Sequence, residues 1–456
     1  HAVFTAHPTF LLSPQQSDAV AAAVGNGGKA TVRDGERPEI TLRYEHGCAM
    51  SAMANAQDAR DKLVATVLRQ AGEAFPDRWT ELQPLPFRFA TWVGYDMDGR
   101  TDIKWYTSIA FRLAEKAERL GRYAASLEAI DPSHELIATL RSAQERAQAS
   151  ADEFAGDLSA PEDMSAAANR LTQDHPDKLL SLDPLIERLE GEADDQGVDT
   201  AVALRTLAAA MRADGLGMGW IHFRVNAKQL HNAIRTRLGD AADIDLSSRG
   251  AVAALRELLA DVEPQSANFA SLAVESSTAI RPLLAALYFA RLFGIADRVD
   301  VSPLFETETA LEHGGRFLDL LLSEPDYQAY AKARGRIAIQ TGFSDAGRFV
   351  GQIPASLAIE RLQGRLAEAM AANGLTDVAA LIFDTHGEGM GRGAHPSSFE
   401  DRIEWALSHW AQRRFTRAGI ALEPEASFQG GDGYLLFANP DIALATLTQV
   451  VAHSPA

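Results

Sequence analysis

Ile337-Ala338-Ile339-Gln340-Thr341-Gly342 and Val378-Ala379-Ala380-Leu381-Ile382-Phe383-Asp384 are two short apolar runs, each ending in polar or glycine residues. Between them residues 356–372 carry Leu357, Leu362, Leu366 and Met370 at helical spacing, and Asn373-Gly374 supplies the stop. A strand, an amphipathic helix and a second strand in that order predict a parallel pair joined by a right-handed crossover. The same texture appears in Ala2-Val3-Phe4-Thr5-Ala6-His7, Phe89-Ala90-Thr91-Trp92-Val93-Gly94, Met218-Gly219-Trp220-Ile221-His222-Phe223-Arg224 and Val299-Asp300-Val301-Ser302-Pro303-Leu304-Phe305-Glu306. Strands that each end in polar residues are the pattern of a parallel β/α (TIM-like) barrel, whose site is assembled at the strand C-termini. An open doubly wound sheet would place a glycine-rich turn after the first strand, and Thr5-Ala6-His7-Pro8-Thr9 is not one.

Outside these runs the chain is alanine-rich and helical in spacing, so the prediction is an α/β protein that is predominantly α-helical by residue count. One barrel-based domain over residues 1–456 is expected, with a helical insertion over 101–212. Helices are predicted over 51–75, from Lys104 onward, and over 199–211, the last with Asp199 as N-cap and Gly215 just past its end. Glu190–Gly197 reads as an exposed acidic connector.

Composition narrows the function. The chain has 456 residues, 46% of them hydrophobic, with 62 acidic against 43 basic residues and a formal net charge of -19. That balance argues against a nucleic-acid partner, which needs a basic face. An anionic substrate would need a local arginine cluster working against the overall field. One cysteine, Cys48, offers neither an internal disulfide nor a cysteine-ligated zinc site. No apolar run is long enough to cross a bilayer, and a cytoplasmic protein without membrane partners is expected. The opening on His1-Ala2-Val3-Phe4, already strand-like, leads to the expectation of further chain before His1 and after Ala456.

Four clusters carry candidate chemistry. His7, at a strand end before Pro8, has the near-neutral titration of a general base. Glu306 and Asp345 each place a carboxylate just past a buried strand, and two such oxygens from separate strands suit magnesium or manganese. The glycine-rich stretch Asp384–Gly393 lets backbone N–H groups approach an anion, and Arg392 offers a guanidinium fork. His46 and Cys48 are taken as structural, and His222 and His231 lie outside every motif.

Taken in order, these segments resemble the phosphoenolpyruvate carboxylase family. Thr5-Ala6-His7-Pro8-Thr9 looks like its histidine motif, and Trp92–Gly99 is similar to its Trp-x-Gly-Gly-Asp-Arg-Asp-Gly motif. Pro303-Leu304-Phe305-Glu306-Thr307 is identical to its Pro-Leu-Phe-Glu-Thr stretch. Gly342-Phe343-Ser344-Asp345 resembles Gly-Tyr-Ser-Asp, and Gly391-Arg392-Gly393-Ala394-His395-Pro396 resembles Gly-Arg-Gly-Gly-Gly-Pro. Arg224 falls where the family has an Asp-Ile-Arg strand. The resemblance spans essentially the whole chain, without the family's N-terminal segment and C-terminal third.

The resemblance implies metal-dependent carboxylation of phosphoenolpyruvate by bicarbonate, giving oxaloacetate and phosphate. It implies Glu306 and Asp345 as ligands of Mg2+ or Mn2+, and His7, Arg392 and Arg348 as catalytic groups. Substrate contacts would come from Arg224, Arg100, His386, Gly391 and Gly393. Family analogy also implies a homo-oligomer, a tetramer. Departures fall in the site itself: Met97 replaces an arginine, Arg348 replaces a lysine, and His386 or Glu388, depending on a gap, stands where the family has another arginine. Three expectations therefore stand side by side. They are a working carboxylase, a relative retooled for another anionic substrate, and a catalytically inactive binding or regulatory homologue.

Overall fold

The computed structural model describes residues 1–5, 12–31, 35–84, 87–97, 103–225, 230, 272–275, 280–384, 407–429 and 431–453. Its strands are β1 (Ala2–Thr5), β2 (Phe89–Thr91), β3 (Trp220–Ile221), β4 (Phe223–Val225), β5 (Leu272–Glu275), β6 (Val301–Phe305), β7 (Arg336–Thr341), β8 (Ala379–Asp384) and β9 (Leu422–Gln429). Most of the remaining described chain is helical, as expected for an α/β protein dominated by helix. The chain divides into two compact units. One comprises His1–Val3, Tyr95–Gly99 and Ile221–Gln429, and the other comprises Phe4–Gly94, Arg100–Trp220 and Gly430–Ala456.

The first unit holds the parallel strands. Pairing runs β9-β8-β7-β6-β5-β4, every neighbouring pair parallel. Alternation assigns the two faces. Val301 and Phe305 of β6, Ile337 and Ile339 of β7, and Ala380 and Ile382 of β8 lie in an apolar core with Leu318, Leu362, Leu366 and Phe415 of the covering helices. Their neighbours in sequence, Ser302 and Gln340 among them, therefore line the opposite face, as does Glu425, whose register partner Phe383 follows Ile382, and all three are buried. The helix between β7 and β8 spans Gln352–Ala372, starting four residues before the predicted 356 and stopping at Asn373 as predicted.

Pairing stops short of the closed barrel the sequence led us to expect. Among the described residues, an isolated bridge joins Arg224 to Asp96 beyond β4, with Arg224 N donating to Tyr95 O at 3.1 Å and Met97 N to Arg224 O at 3.4 Å. β3 and β4 are two and three residues long and the ladder is interrupted between them at His222.

The second unit is built on two long helices, Leu42–Ala74 and Trp105–Ile130. The first begins nine residues before the predicted 51, because Thr41 caps it through Tyr44 N. Arg60 and Arg119, both buried, converge on the buried Asp214, Arg60 forking onto both carboxylate oxygens at 2.6 and 2.8 Å. Two expectations are corrected here. Glu190–Asp194 belong to the helix Asp183–Asp194, because Leu185, Ile186, Leu189 and Ala193 form a buried stripe that outweighs the acidic, glycine-containing composition. Asp199 does not cap the helix Val198–Asp214; Gly197 holds the N-cap position with no side-chain bond, while Gly215 ends the helix at φ 64° as predicted. No helix among the described residues is long and apolar enough to cross a membrane.

Candidate functional site at the strand ends of the first unit

The β6–β7 register pairs Leu304 with Gln340 and Phe305 with Thr341, so the next residues, Glu306 and Gly342, leave the sheet side by side. Gly342 N donates to Phe305 O at 2.9 Å. The approach leaves no room for a side chain at 342: a Cβ there would lie 2.2 Å from Glu306 Cβ, 3.1 Å from its Cα and 3.0 Å from its Oε2. Gly342 has φ -94° and ψ 86°, so glycine is demanded by the contact and not by a left-handed backbone. Directly after it the helix Phe343–Val350 begins, with Asp345 in its first turn and Arg348, exposed, in its last. Two adjacent strands thus deliver Glu306 and the backbone of Asp345 to one edge.

Arg224 is brought to Asp96, Nη1 to Oδ2 at 3.0 Å, with both side chains largely buried. The tryptophan-glycine motif and the Arg224 strand, far apart in sequence, therefore meet. Met97, where a cationic side chain was looked for, is joined to Arg224 through its backbone; its thioether donates no hydrogen bond. His7, Arg100, His386, Gly391, Arg392 and Gly393 lie outside the described residues.

Sequence reasoning passed over the polar set beneath these strand ends. His222 is 2% exposed and Glu425 4% exposed. Gln340 Nε2 sits 3.0 Å from His222 Nδ1, His222 Nε2 sits 3.4 Å from Glu425 Oε2, and Glu425 Oε1 meets His1 Nδ1 at 2.8 Å. The Phe383 ring leans over His222, centroids 4.7 Å apart. An amide nitrogen only donates, so Nδ1 accepts and the ring proton of a neutral His222 belongs on Nε2, facing the carboxylate. Burial pushes the His222 imidazole below its ordinary value, against the pull of Glu425, with Arg224 and His1 adding to the lowering. Burial alone would raise the Glu425 carboxyl, but the charges of His222, His1 and Arg336 and the His1 bond bring it below the ordinary value.

Both shifts act on stability in the same direction. A histidine with a lowered folded pKa binds a proton more readily when unfolded, so its contribution is complete above about pH 6.5 and shrinks as pH falls below that. Glu425 adds a loss only at lower pH, below the ordinary carboxylate value of about 4.3. The urea midpoint should therefore decline from pH 7 to pH 5 and the decline should flatten in His222→Gln. An equal slope in wild type and variant would show that His222 does not titrate as its surroundings dictate.

Fit to a divalent cation rests on donor chemistry and space. Glu306 and Asp345 are hard oxygen donors, and the missing Cβ at Gly342 leaves the Glu306 carboxylate the room a side chain would fill. Among the described residues no group of three or more histidine, cysteine, aspartate or glutamate side chains is arranged to hold a metal alone.

Comparison with known proteins matches a sequence model of the phosphoenolpyruvate carboxylase family to residues 246–399. That span includes Glu306, Asp345, Arg348, His386 and Arg392. A phosphoenolpyruvate carboxylase of Thermus sp. (strain 71) is 30% identical over 154 residues, which cover 34% of this chain and 16% of that protein. The enzyme of Xanthomonas euvesicatoria pv. vesicatoria (strain 85-10) is 25% identical over 479 residues, covering 87% of this chain and 52% of the relative. That of Hahella chejuensis (strain KCTC 2396) is 22% identical over 475 residues, with the same coverage. The chain spans about half the length of the relatives that it matches along most of its own.

Proposed function

We propose that this chain, a divergent relative of the phosphoenolpyruvate carboxylases, carries the strand-end site for metal-dependent carboxylation of phosphoenolpyruvate by bicarbonate. The observation that supports the reading is the convergence of Glu306 and Gly342 at the ends of the adjacent strands β6 and β7, with the backbone of Asp345 three residues further on in the helix that follows. Glu306 and Asp345 would hold Mg2+ or Mn2+, which supplies positive charge where negative charge develops on the substrate.

The chain's own groups divide the remaining work. Arg224, its guanidinium oriented by Asp96, would contact the anionic substrate from the β4 side. His7 would take and return a proton as carboxyphosphate breaks down to CO2 and phosphate, a task suited to its near-neutral titration. Arg392 would grip the phosphoryl oxygens as a fork, Arg348 would add positive charge from the helix after β7, and the backbone at Gly391 and Gly393 would admit the anion closely. Arg100 and His386 complete the proposed substrate contacts, and a cytoplasmic homo-oligomer is the accompanying expectation.

A second reading, the same site used on another anionic substrate, is favoured by one observation. Met97 stands where the motif's arginine would be and offers no donor to an anion. Both readings keep the metal pair, so the test of the site is metal affinity. Mn2+ binding followed by calorimetry should weaken at least about tenfold in Asp345→Asn, the order of a lost charge-assisted contact. Unaltered affinity would remove Asp345 from the ligand set and the inactive, binding-only homologue would become the better reading.

A further inference from the structure

His222 interrupts the extended segment that ends in Arg224. Trp220–Ile221 and Phe223–Val225 are ladder-forming, and residue 222 between them is not. Where the ladder lapses, the side chain takes over the anchoring: Nδ1 is held by Gln340 of β7, Nε2 faces Glu425 of β9, and the ring is covered by Phe383 of β8. Residues 222 and 224 are two apart in an extended segment, so their side chains leave it on one face. The direction of the Arg224 guanidinium toward Asp96 therefore follows from how His222 is held. Among the described residues Gln340 Oε1 and Glu425 Oε2 are buried without a hydrogen-bond partner, and of the contacts made to the His222 ring the bond from Gln340 to Nδ1 is the well-formed one, so it fixes the ring.

We propose that His222 is a positioning residue for Arg224, locked by Gln340 and Glu425 so that the guanidinium is presented to the anionic substrate in one orientation. This rests on the reading that Arg224 contacts substrate, and the experiment separates the two. In this geometry asparagine is the discriminating replacement at 222. Its side-chain oxygen stands where Nδ1 stood and still accepts from Gln340, whereas leucine fills similar space and accepts nothing.

The measurement is phosphoenolpyruvate affinity by calorimetry in the presence of Mg2+, beside the urea midpoint of each variant. His222→Leu should weaken binding about tenfold and His222→Asn should recover most of that, as expected for one hydrogen bond to a positioning group. A purely structural histidine would lower the midpoint in both variants and leave affinity alone; that pattern, or asparagine binding no better than leucine, overturns the proposal. Should His222→Leu fail to fold, Gln340→Leu removes the same bond from the other side and carries the same expectation. If the wild-type chain does not bind phosphoenolpyruvate, the substrate reading fails and positioning is judged by coupling alone. The effect of Asp96→Asn on the unfolding constant should then shrink about fivefold in the His222→Leu background, and strict additivity would overturn the proposal.

Discussion

Glu306→Gln should abolish tight Mn2+ binding and slow oxaloacetate formation about 10²- to 10³-fold, the effect of withdrawing one preorganised charge from a reacting centre. The substitution is close to isosteric and removes only the charge. Its backbone is fixed by the β6–β7 ladder, where Phe305 pairs with Thr341 and Gly342 N bonds Phe305 O. The fold should thus survive, and the urea midpoint should move by less than about 1 kcal/mol, as for replacements away from a buried unpaired charge. Parallel titrations of Mn2+ affinity and rate check this. A variant that keeps its rate within about threefold, less than 1 kcal/mol of transition-state stabilisation, would mean that Glu306 holds no metal.

Gly342→Ala should damage the same site without touching a charge. The new Cβ would meet Glu306 Cβ at 2.2 Å and Cα at 3.1 Å. Neither atom can swing away by a rotamer change, so β6 and β7 must part at their ends. A cost of about 1–3 kcal/mol is the usual penalty for overpacking, and Mn2+ affinity should fall together with stability. Gly47 is the control: it lies inside the helix Leu42–Ala74, where a Cβ would meet nothing within 4 Å. Alanine there should be neutral or stabilising by up to about 1 kcal/mol through helix propensity. If Gly342→Ala behaves like Gly47→Ala, the two strand ends are not in the contact on which the site depends.

The parts of the fold that could be read from sequence were those with local periodicity. β7, the helix after it and β8 announce themselves by alternating or helical apolar spacing, because one face of each lies in the apolar core. β9 escaped notice because its buried residues include the polar Glu425 and Ser427, and Leu422-Glu423-Pro424-Glu425 reads as an acidic loop. β5, Leu272–Glu275, fell in none of the runs that the sequence marked. The acidic stretch after Glu190 misled in the opposite sense, since its helix is specified by the stripe Leu185–Leu189–Ala193 and not by its own residues.

The site divides in the same way. Glu306 and Asp345 were singled out because each follows an apolar run in a short motif. The pairing of Arg224 with Asp96 was not anticipated, since the two lie 128 residues apart and no local pattern joins them. His222 carried no signal, because Gln340 lies 118 residues away along the chain and no local pattern marks a contact of that range. Its tautomer and lowered proton affinity are properties of three strands brought together.

The central claim is tested most directly by supplying phosphoenolpyruvate, bicarbonate and Mg2+ or Mn2+ and following oxaloacetate and phosphate together, in wild type and in His7→Asn. Equal amounts of both products from wild type, with oxaloacetate lost in His7→Asn, are the predicted result. Neither product, from a chain that still binds Mn2+ through Glu306 and Asp345, would contradict carboxylase activity and leave a metal site serving a different anion.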